Sequence, residues 1–252
     1  MKALAGFVRF VTAAIFSLAM GGIEVLMIFV DRRRGRIFHR LARFWARGVL
    51  LICNVRLRVR GLEKIDVTRN CVYVSNHASM LDIPAIVAGI PGQIRIVYKK
   101  ELEIIPFFGW GLRWGAYIGI DRGRGARAMR SIEEAVAKIK NGASILLYAE
   151  GTRTLDGKLQ PFKRGAFNIA LRAGVPVVPL TVNGSLNILP KHSACVRPGV
   201  VELVLASPID VAGREGKEAE LRLMDQVHAA IARHYIDQKP VRGSPAQEVH
   251  DG

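Results

Sequence analysis

Acidic residues are scarce in this chain: 21 Asp and Glu stand against 37 Lys and Arg in 252 residues, a formal net charge of +16. The sequence pI is about 10.4. That balance excludes a strongly cationic partner and calls for an acidic one: nucleic acid, an anionic lipid surface or an acidic protein. Cysteine is nearly absent. Cys53, Cys71 and Cys195 are odd in number, far apart and set in apolar runs. They are read as reduced core residues of a cytosol-facing domain, which rules out a disulfide frame and a cysteine-based metal site. Aromatic residues make up only 7%. Surface aromatics interleaved for base stacking are not expected beside the arginine runs, which argues against a nucleic-acid binder. The chain has no G-x-S-x-G elbow, no G-x-x-x-x-G-K-[ST] loop and no His/Cys/Asp cluster at zinc spacing. These absences remove the serine-hydrolase, P-loop and zinc-enzyme readings. No internal repeat is visible.

Half the residues are hydrophobic, and the mean hydropathy of +0.20 is high for a soluble protein and low for one with many spans. Phe7 to Val30 is almost wholly apolar, broken by Arg9 and Glu24. It is long enough to cross or enter a bilayer, which takes about 20 residues. Gly21-Gly22 and Glu24 leave both a single span and a re-entrant pair of half-helices open. Asp31-Arg32-Arg33-Arg34-Gly35-Arg36 follows, and the positive-inside rule puts it, with everything after it, on the cytoplasmic side; the expected location is the inner (plasma) membrane. A helix over residues 36–52 carries Arg36, Arg40, Arg43 and Arg47 on one face, the pattern of a basic amphipathic helix at a lipid surface.

From about residue 54 onward, strands and helices alternate. Asn54–Gly61 alternates as a strand with one wet, arginine-lined face. Further strands are expected over 71–75, 93–99, 117–120, 144–149, 175–182 and 200–206, and helices over 81–89, 127–141, 165–173 and 218–235. Pro106 to Tyr117 reads as a Gly- and aromatic-rich connection. Pro176 and Pro179 place their strand near an edge or make it irregular. The expected fold is a single α/β domain with a largely parallel or mixed central sheet flanked by helices, preceded by an N-terminal membrane-associated helical segment. The expected divisions are a hydrophobic segment with basic flank over 1–35, the basic surface helix over 36–53, the α/β domain over 54–236 and a disordered tail over 237–252.

Four polar clusters fall at the ends of buried strands: Asn76-His77…Asp82, Lys99-Lys100, Asp121-Arg122 and Glu150-Gly151-Thr152-Arg153. In a parallel sheet these ends share one edge. Histidine moves protons near neutral pH, and an aspartate can fix its tautomer from the other ring nitrogen. His77 and Asp82 can meet if Ser79 is the helix N-cap and Asp82 stands at N3. The same residues also spell a capping box, which by itself involves no chemistry. The cations suit phosphate oxygens. A base beside a phosphate clamp suggests a substrate with a hydroxyl to activate and a phosphate to hold. The other histidines (39, 192, 228, 234 and 250) lack partners in the sequence.

These residues resemble the glycerolipid acyltransferases, in particular the bacterial 1-acylglycerol-3-phosphate acyltransferases. Asn76-His77-x-Ser79-x-x-Asp82 is similar to their first block. Gly115 with Ile120-Asp121-Arg122 resembles the second, Glu150-Gly151-Thr152-Arg153 the third and Val175-Pro176-Val177-Val178-Pro179 the fourth. The stretches 99–109 and 162–165 also look like family sequence, and Gly119 departs from it, standing where a bulky apolar residue is commoner. The resemblance covers roughly 55 to 210. It implies that His77 is the general base for the 2-hydroxyl of lysophosphatidic acid, with Asp82 as its orienting partner. Lys100, Arg122 and Arg153 would clamp the phosphate, Glu150, Gly151 and Thr152 would shape the rim, and Lys163 is a further candidate. Asn76, Ser79 and Asp121 support the motif, and residues 106–117 form an acyl-chain wall. The donor would be acyl-CoA or acyl-carrier protein, with no cofactor and no metal, and the product phosphatidic acid. Membrane lipids and acyl-carrier protein are the implied partners and nucleic acid is not. The oligomeric state is not fixed by sequence. Another lysophospholipid or a lyso amino-acid lipid as acceptor, and a non-catalytic anionic-lipid binder, are the alternatives.

Overall fold

The computed structural model describes residues 1–27, 36–114, 117–121 and 126–238. The elements in chain order are α1 (Lys2–Met27), α2 (Arg36–Ile52), β1 (Val55–Arg60), β2 (Val72–Ser75), α3 (Asp82–Gly89), β3 (Ile94–Lys99), α4 (Phe108–Trp114) and β4 (Ile118–Ile120). There follow α5 (Ala126–Lys140), β5 (Ser144–Tyr148), α6 (Gly165–Ala173), β6 (Val177–Asn183), α7 (Ser185–Ile188), β7 (Gly199–Leu205) and α8 (Gly216–Ala232). Seven strands form one mixed sheet in the order β1-β7-β6-β2-β5-β3-β4. From β6 to β4 every pairing is parallel, while β7 runs against β6 and carries β1 with it. The carboxyl ends of β2, β5, β3 and β4 therefore lie side by side on one edge, about 4.8 Å apart per step.

The central strands are apolar throughout because both their faces are covered. Tyr73, Leu146, Val178 and Leu180 point to one layer, where they meet Val49 and Leu50 of α2 and Ala85 and Ile86 of α3. Val72, Val74, Ile145 and Leu147 point to the other, against α5, α6 and α8 through Ile139, Phe167 and Leu223. Phe167 is fully buried there, and truncating such a side chain costs about 3–5 kcal/mol.

One local expectation is narrowed and four need correction. β6 is interior, between β7 and β2. Pro179 is tolerated because the ladder breaks beside it: Leu180 pairs with Leu205, the next bonded pair is Val177 with Ile209, and the Pro179 carbonyl accepts from Ala206 N–H. Of the two readings of the prolines, irregularity is the one that holds. Residues 108–114 form a helix where a connection was expected. The glycines that lower helix propensity are there for space: a Cβ on Gly111 would sit 3.1 Å from Glu24 Oε2, and one on Gly21 would sit 3.0 Å from Phe108 Cα. They let α4 and α1 approach closely. Arg43 does not face a lipid surface; it turns inward and donates to the carbonyls of Ile90 (3.3 Å) and Gly92 (3.2 Å) at the end of α3. Cys195 is only half-buried and packs on Ala3 of α1, whereas Cys53 and Cys71 are core. The domain also runs past 236, because Gln238 is buried, its N–H donates to Gly157 O and its Oε1 accepts from Leu186 N–H. The rest of the expected tail, the basic flank over 31–35, Gly115 and Arg122 lie outside the described residues.

Helix α1 is docked at both ends. Near its start, Gly6 O accepts from Val196 N–H at 3.1 Å, and near its end Gly21 packs on Phe107 and Phe108. Those two points are about 22 Å apart along the helix. Phe10, Ala13 and Phe16 pack on the core below. Leu4, Phe7, Val8, Val11, Ile15, Leu18 and Leu26 stay exposed. At 100° per residue these seven positions form a single stripe on the opposite side of the helix.

Candidate active site

β2 ends at Ser75 because Asn76 turns its side chain across to β6. Its amide donates to Val182 O at 2.9 Å and accepts from Val182 N–H at 2.8 Å. That bidentate clamp fixes where the chain leaves the sheet, and His77 is the next residue. His77 Nδ1 lies 2.8 Å from Asp82 Oδ2. The same carboxylate oxygen accepts from the N–H groups of Ala78 (2.8 Å) and Ser79 (2.9 Å). A carboxylate held by two backbone donors stays an acceptor, so the imidazole carries its proton on Nδ1 and leaves Nε2 bare. Among the described residues Nε2 has no hydrogen-bond partner. The His77 side chain is 16% exposed and Asp82 not at all, which leaves the base reachable and its partner dry.

The capping box is realised by half. Asp82 reaches back to Ser79 N–H as expected. Helix α3, however, starts at Asp82, later than a Ser79 cap would give. The Ser79 hydroxyl donates to Leu189 O (2.7 Å) and accepts from Leu81 N–H (3.2 Å). Its task is to tie the His77 loop to the segment after α7.

Glu150 stands just past the end of β5. It is only 2% exposed and points inward, where Oε1 accepts from His77 N–H at 2.6 Å and Oε2 from Gln160 N–H at 3.1 Å. Both oxygens accept from backbone N–H groups, so Glu150 braces the His77 loop. Burial pushes its carboxyl up to about 7, against the pull of those two N–H donors. Thr154 N–H completes the brace by donating to His77 O at 2.9 Å.

Gly151 has φ +72, and a Cβ there would fall 2.9 Å from Lys163 Cδ. Glycine thus accommodates both the turn and the passage of the lysine chain over it. Lys163 is held by its own N–H donating to Ala149 O at 2.7 Å. With Asp121 and Tyr148 it lines a cleft of about 350 Å³ whose walls include Val97, Ile120 and Ile169. Arg153 is half-buried and has no hydrogen-bond partner among the described residues. Burial draws its guanidinium down and the Asp82 charge holds it up, which sets a cation beside the dyad. Thr152 is exposed, with Lys191 Nζ at 3.5 Å. Lys100 is exposed at the end of β3, two strands from His77, and its Cγ occupies the space left by Gly119, together with the Tyr98 ring. The bulky residue missing at 119 is thus replaced by neighbours.

Sequence reasoning passed over Tyr148. Its ring stacks on His77 at a centroid distance of 3.8 Å and 14°, fixing the imidazole from the side that Asp82 does not reach. Its position as the last residue of the strand next to β2 was the available signal. It also missed Gln160 and Leu189, which act through backbone atoms that no side-chain motif reports.

A second cavity, apolar and about 90 Å³, lies on the other face of the sheet between α1, α2 and α4. Phe108, Leu112 and Tyr117 line it together with Trp45 and Met20, so part of the 106–117 segment does form an apolar wall. No group of three or more His, Cys, Asp or Glu placed to hold a metal occurs among the described residues.

The family model described as Acyltransferase matches residues 56–183. A chloroplastic 1-acyl-sn-glycerol-3-phosphate acyltransferase of Brassica napus is 33% identical over 217 residues, covering 85% of this chain and 60% of the relative. The chain therefore spans about three fifths of that relative's length. A Pseudomonas aeruginosa protein of the same name is 31% identical over 193 residues, 76% of this chain and 74% of the relative. The crystal structure of PlsC, the 1-acyl-sn-glycerophosphate acyltransferase of Thermotoga maritima, superposes with a TM-score of 0.79 at 27% identity and covers 100% of this chain and 97% of that one. The matched span runs from β1 to the end of β6 and includes His77, Asp82 and the Glu150 loop: the chain belongs to the acyltransferase family.

Proposed function

We propose that this chain transfers an acyl group from a thioester donor, acyl-CoA or acyl-carrier protein, to the 2-hydroxyl of 1-acylglycerol-3-phosphate, giving phosphatidic acid. The observation that carries the reading is the 2.8 Å contact of His77 Nδ1 with Asp82 Oδ2, with the half-buried Arg153 beside it. The names of the relatives support it.

His77 Nε2 takes the hydroxyl proton as the acceptor oxygen attacks the thioester carbonyl carbon. The imidazolium formed is held by Asp82. The tetrahedral stage then collapses, the carbon–sulfur bond breaks, and the leaving thiolate takes the proton from Nε2. General-base help of this kind is worth about 10²–10⁴-fold. Arg153, Lys163 and Lys100 hold the acceptor phosphate. Arg122 is assigned to the same clamp from its place in the motif alone. The transfer needs neither cofactor nor metal, so turnover is indifferent to chelators.

The exposed stripe of α1 enters the lipid while the docked flank stays on the protein. With both of its ends held against the domain, α1 lies along the membrane surface in place of crossing it, on the cytoplasmic side of the inner membrane. Purified protein, labelled acyl-CoA or acyl-carrier protein, and a panel of lysolipid acceptors test the reaction. Phosphatidic acid should form preferentially from the phosphate-bearing acceptor. Equal use of phosphate-free or amino-acid lysolipids would assign the enzyme a different acceptor, and thiol release without lipid product would make it a thioesterase.

A further inference from the structure

Helix α6 carries a different lining on each side. Gly165, Ala166 and Ile169 face the cleft that holds Lys163. Arg164, Asn168, Leu171 and Arg172 line another, of about 460 Å³, together with Arg214 and Lys217. Four cations, an amide and the apolar side chain of Leu171 thus line one concavity. Two carboxylates, Glu215 and Glu220, also line it. The Glu220 charge is met by Arg164 Nε at 2.6 Å and by Asn168 at 3.4 Å. Arg172 reaches Glu133 only at 3.9 Å, and Arg214 donates to a neutral partner, Gln226. Each guanidinium has five donors, so most remain available, and Lys217 has no ion pair among the described residues.

The cleft lies in the α5, α6 and α8 layer, and the sheet separates it from the layer on which α1 packs. A membrane lipid held at the α1 face does not reach it. Its four cations suit a soluble ligand that carries several negative charges. The first residues of α6 follow directly on Lys163, whose N–H is bonded to the end of β5 beside His77's stacking partner. From Arg164 to Arg172 the helix rises about 12 Å, a reach that a pantetheine arm covers.

We infer that the α6–α8 cleft binds the phosphorylated nucleotide head of a CoA thioester, whose pantetheine arm passes over the start of α6 to bring the thioester to His77. This rests on the acyl-transfer reading and narrows the donor to a nucleotide-headed one. Arginine and lysine contacts to phosphate are charge-assisted, and losing two of them weakens binding about tenfold or more.

The test is the double variant Arg214→Gln, Lys217→Gln, at positions outside the core. Calorimetry with CoA itself needs no turnover, so it reports on the cleft even if the transfer reaction is another one. CoA should bind the wild type and bind the double variant about tenfold more weakly. The wild type should also favour acyl-CoA over acyl-pantetheine, which lacks the head, in kcat/KM, and the variant should lose that preference through KM. Unchanged CoA affinity in the variant overturns the inference. So does a loss confined to acyl-carrier protein as donor, or a loss of anionic-vesicle binding with CoA binding intact.

Discussion

The main-chain N–H of His77 donates to Oε1 of Glu150 at 2.6 Å, so the residue proposed as base is held through its backbone by a buried carboxylate from the neighbouring strand. Burial places that carboxyl at about 7 in the folded protein against an ordinary 4.5. A folded value above the unfolded one means that the folded state binds the proton more tightly. Stability therefore falls as pH rises between about 4.5 and 7 and is level above it. The full drop is about 3 kcal/mol by this shift. Glu150→Gln should remove that slope, seen as a flatter dependence of urea unfolding free energy on pH than the wild type shows.

Asp82 accepts from His77 Nδ1 and two backbone N–H groups through one oxygen. Asp82→Asn offers either a neutral oxygen or an amide donor at that place, and loses the charge that steadies the imidazolium. The expected result is a fall in kcat of about 10²-fold or more with KM for the acceptor little changed, measured by steady-state transfer assays. A fall in acceptor affinity with kcat intact would make Asp82 a binding residue.

Gly157 has φ +76, and a Cβ there would lie 1.5 Å from Gln238 O. The segment after α8 is bonded to it twice, by Gln238 N–H and by the Tyr235 hydroxyl, both donating to Gly157 O. Gly157→Ala combines backbone strain with a backbone clash and should cost about 2–4 kcal/mol, read as a lowered midpoint of chemical unfolding. An unshifted midpoint would show that residues 235–238 do not need this contact.

If α1 lies along the membrane surface, both of its ends remain on one side. Single cysteines at Leu4 and Leu26, in a background with the three natural cysteines replaced, should both react with an impermeant reagent from the cytoplasmic face of inverted vesicles. Labelling of the two from opposite faces would show a span. Phe7→Lys with Ile15→Lys should release the protein from vesicles in a flotation assay.

The sheet and the dyad were legible in the sequence because each rests on a local signal: apolar runs set the strands, and His77 and Asp82 lie five residues apart, across the turn from β2 into α3. What escaped depended on distant partners. Gly109 and Gly111 read as a connection because their purpose, close approach of α4 to Glu103 and to α1, exists only in three dimensions. Pro176 and Pro179 left an edge strand and an irregular one both open, because the break that decides between them is made by residues 206–208, after β7. The brace that Glu150 gives the His77 loop escaped because its two partners are backbone N–H groups, which carry no sequence signature. Arg43 was grouped with the other arginines of α2, although the carbonyls it serves lie 47 and 49 residues away.

The central claim is that His77 is the base, and the most direct measurement is single-turnover acyl transfer by His77→Ala alongside acceptor binding and unfolding of the same variant. Its ring is partly exposed and the backbone clamps at Asn76, Glu150 and Thr154 do not use it. Transfer should therefore drop by at least about 10²-fold, while lysophosphatidic acid binding and the unfolding transition match the wild type. Transfer at the wild-type rate in that variant would contradict the account.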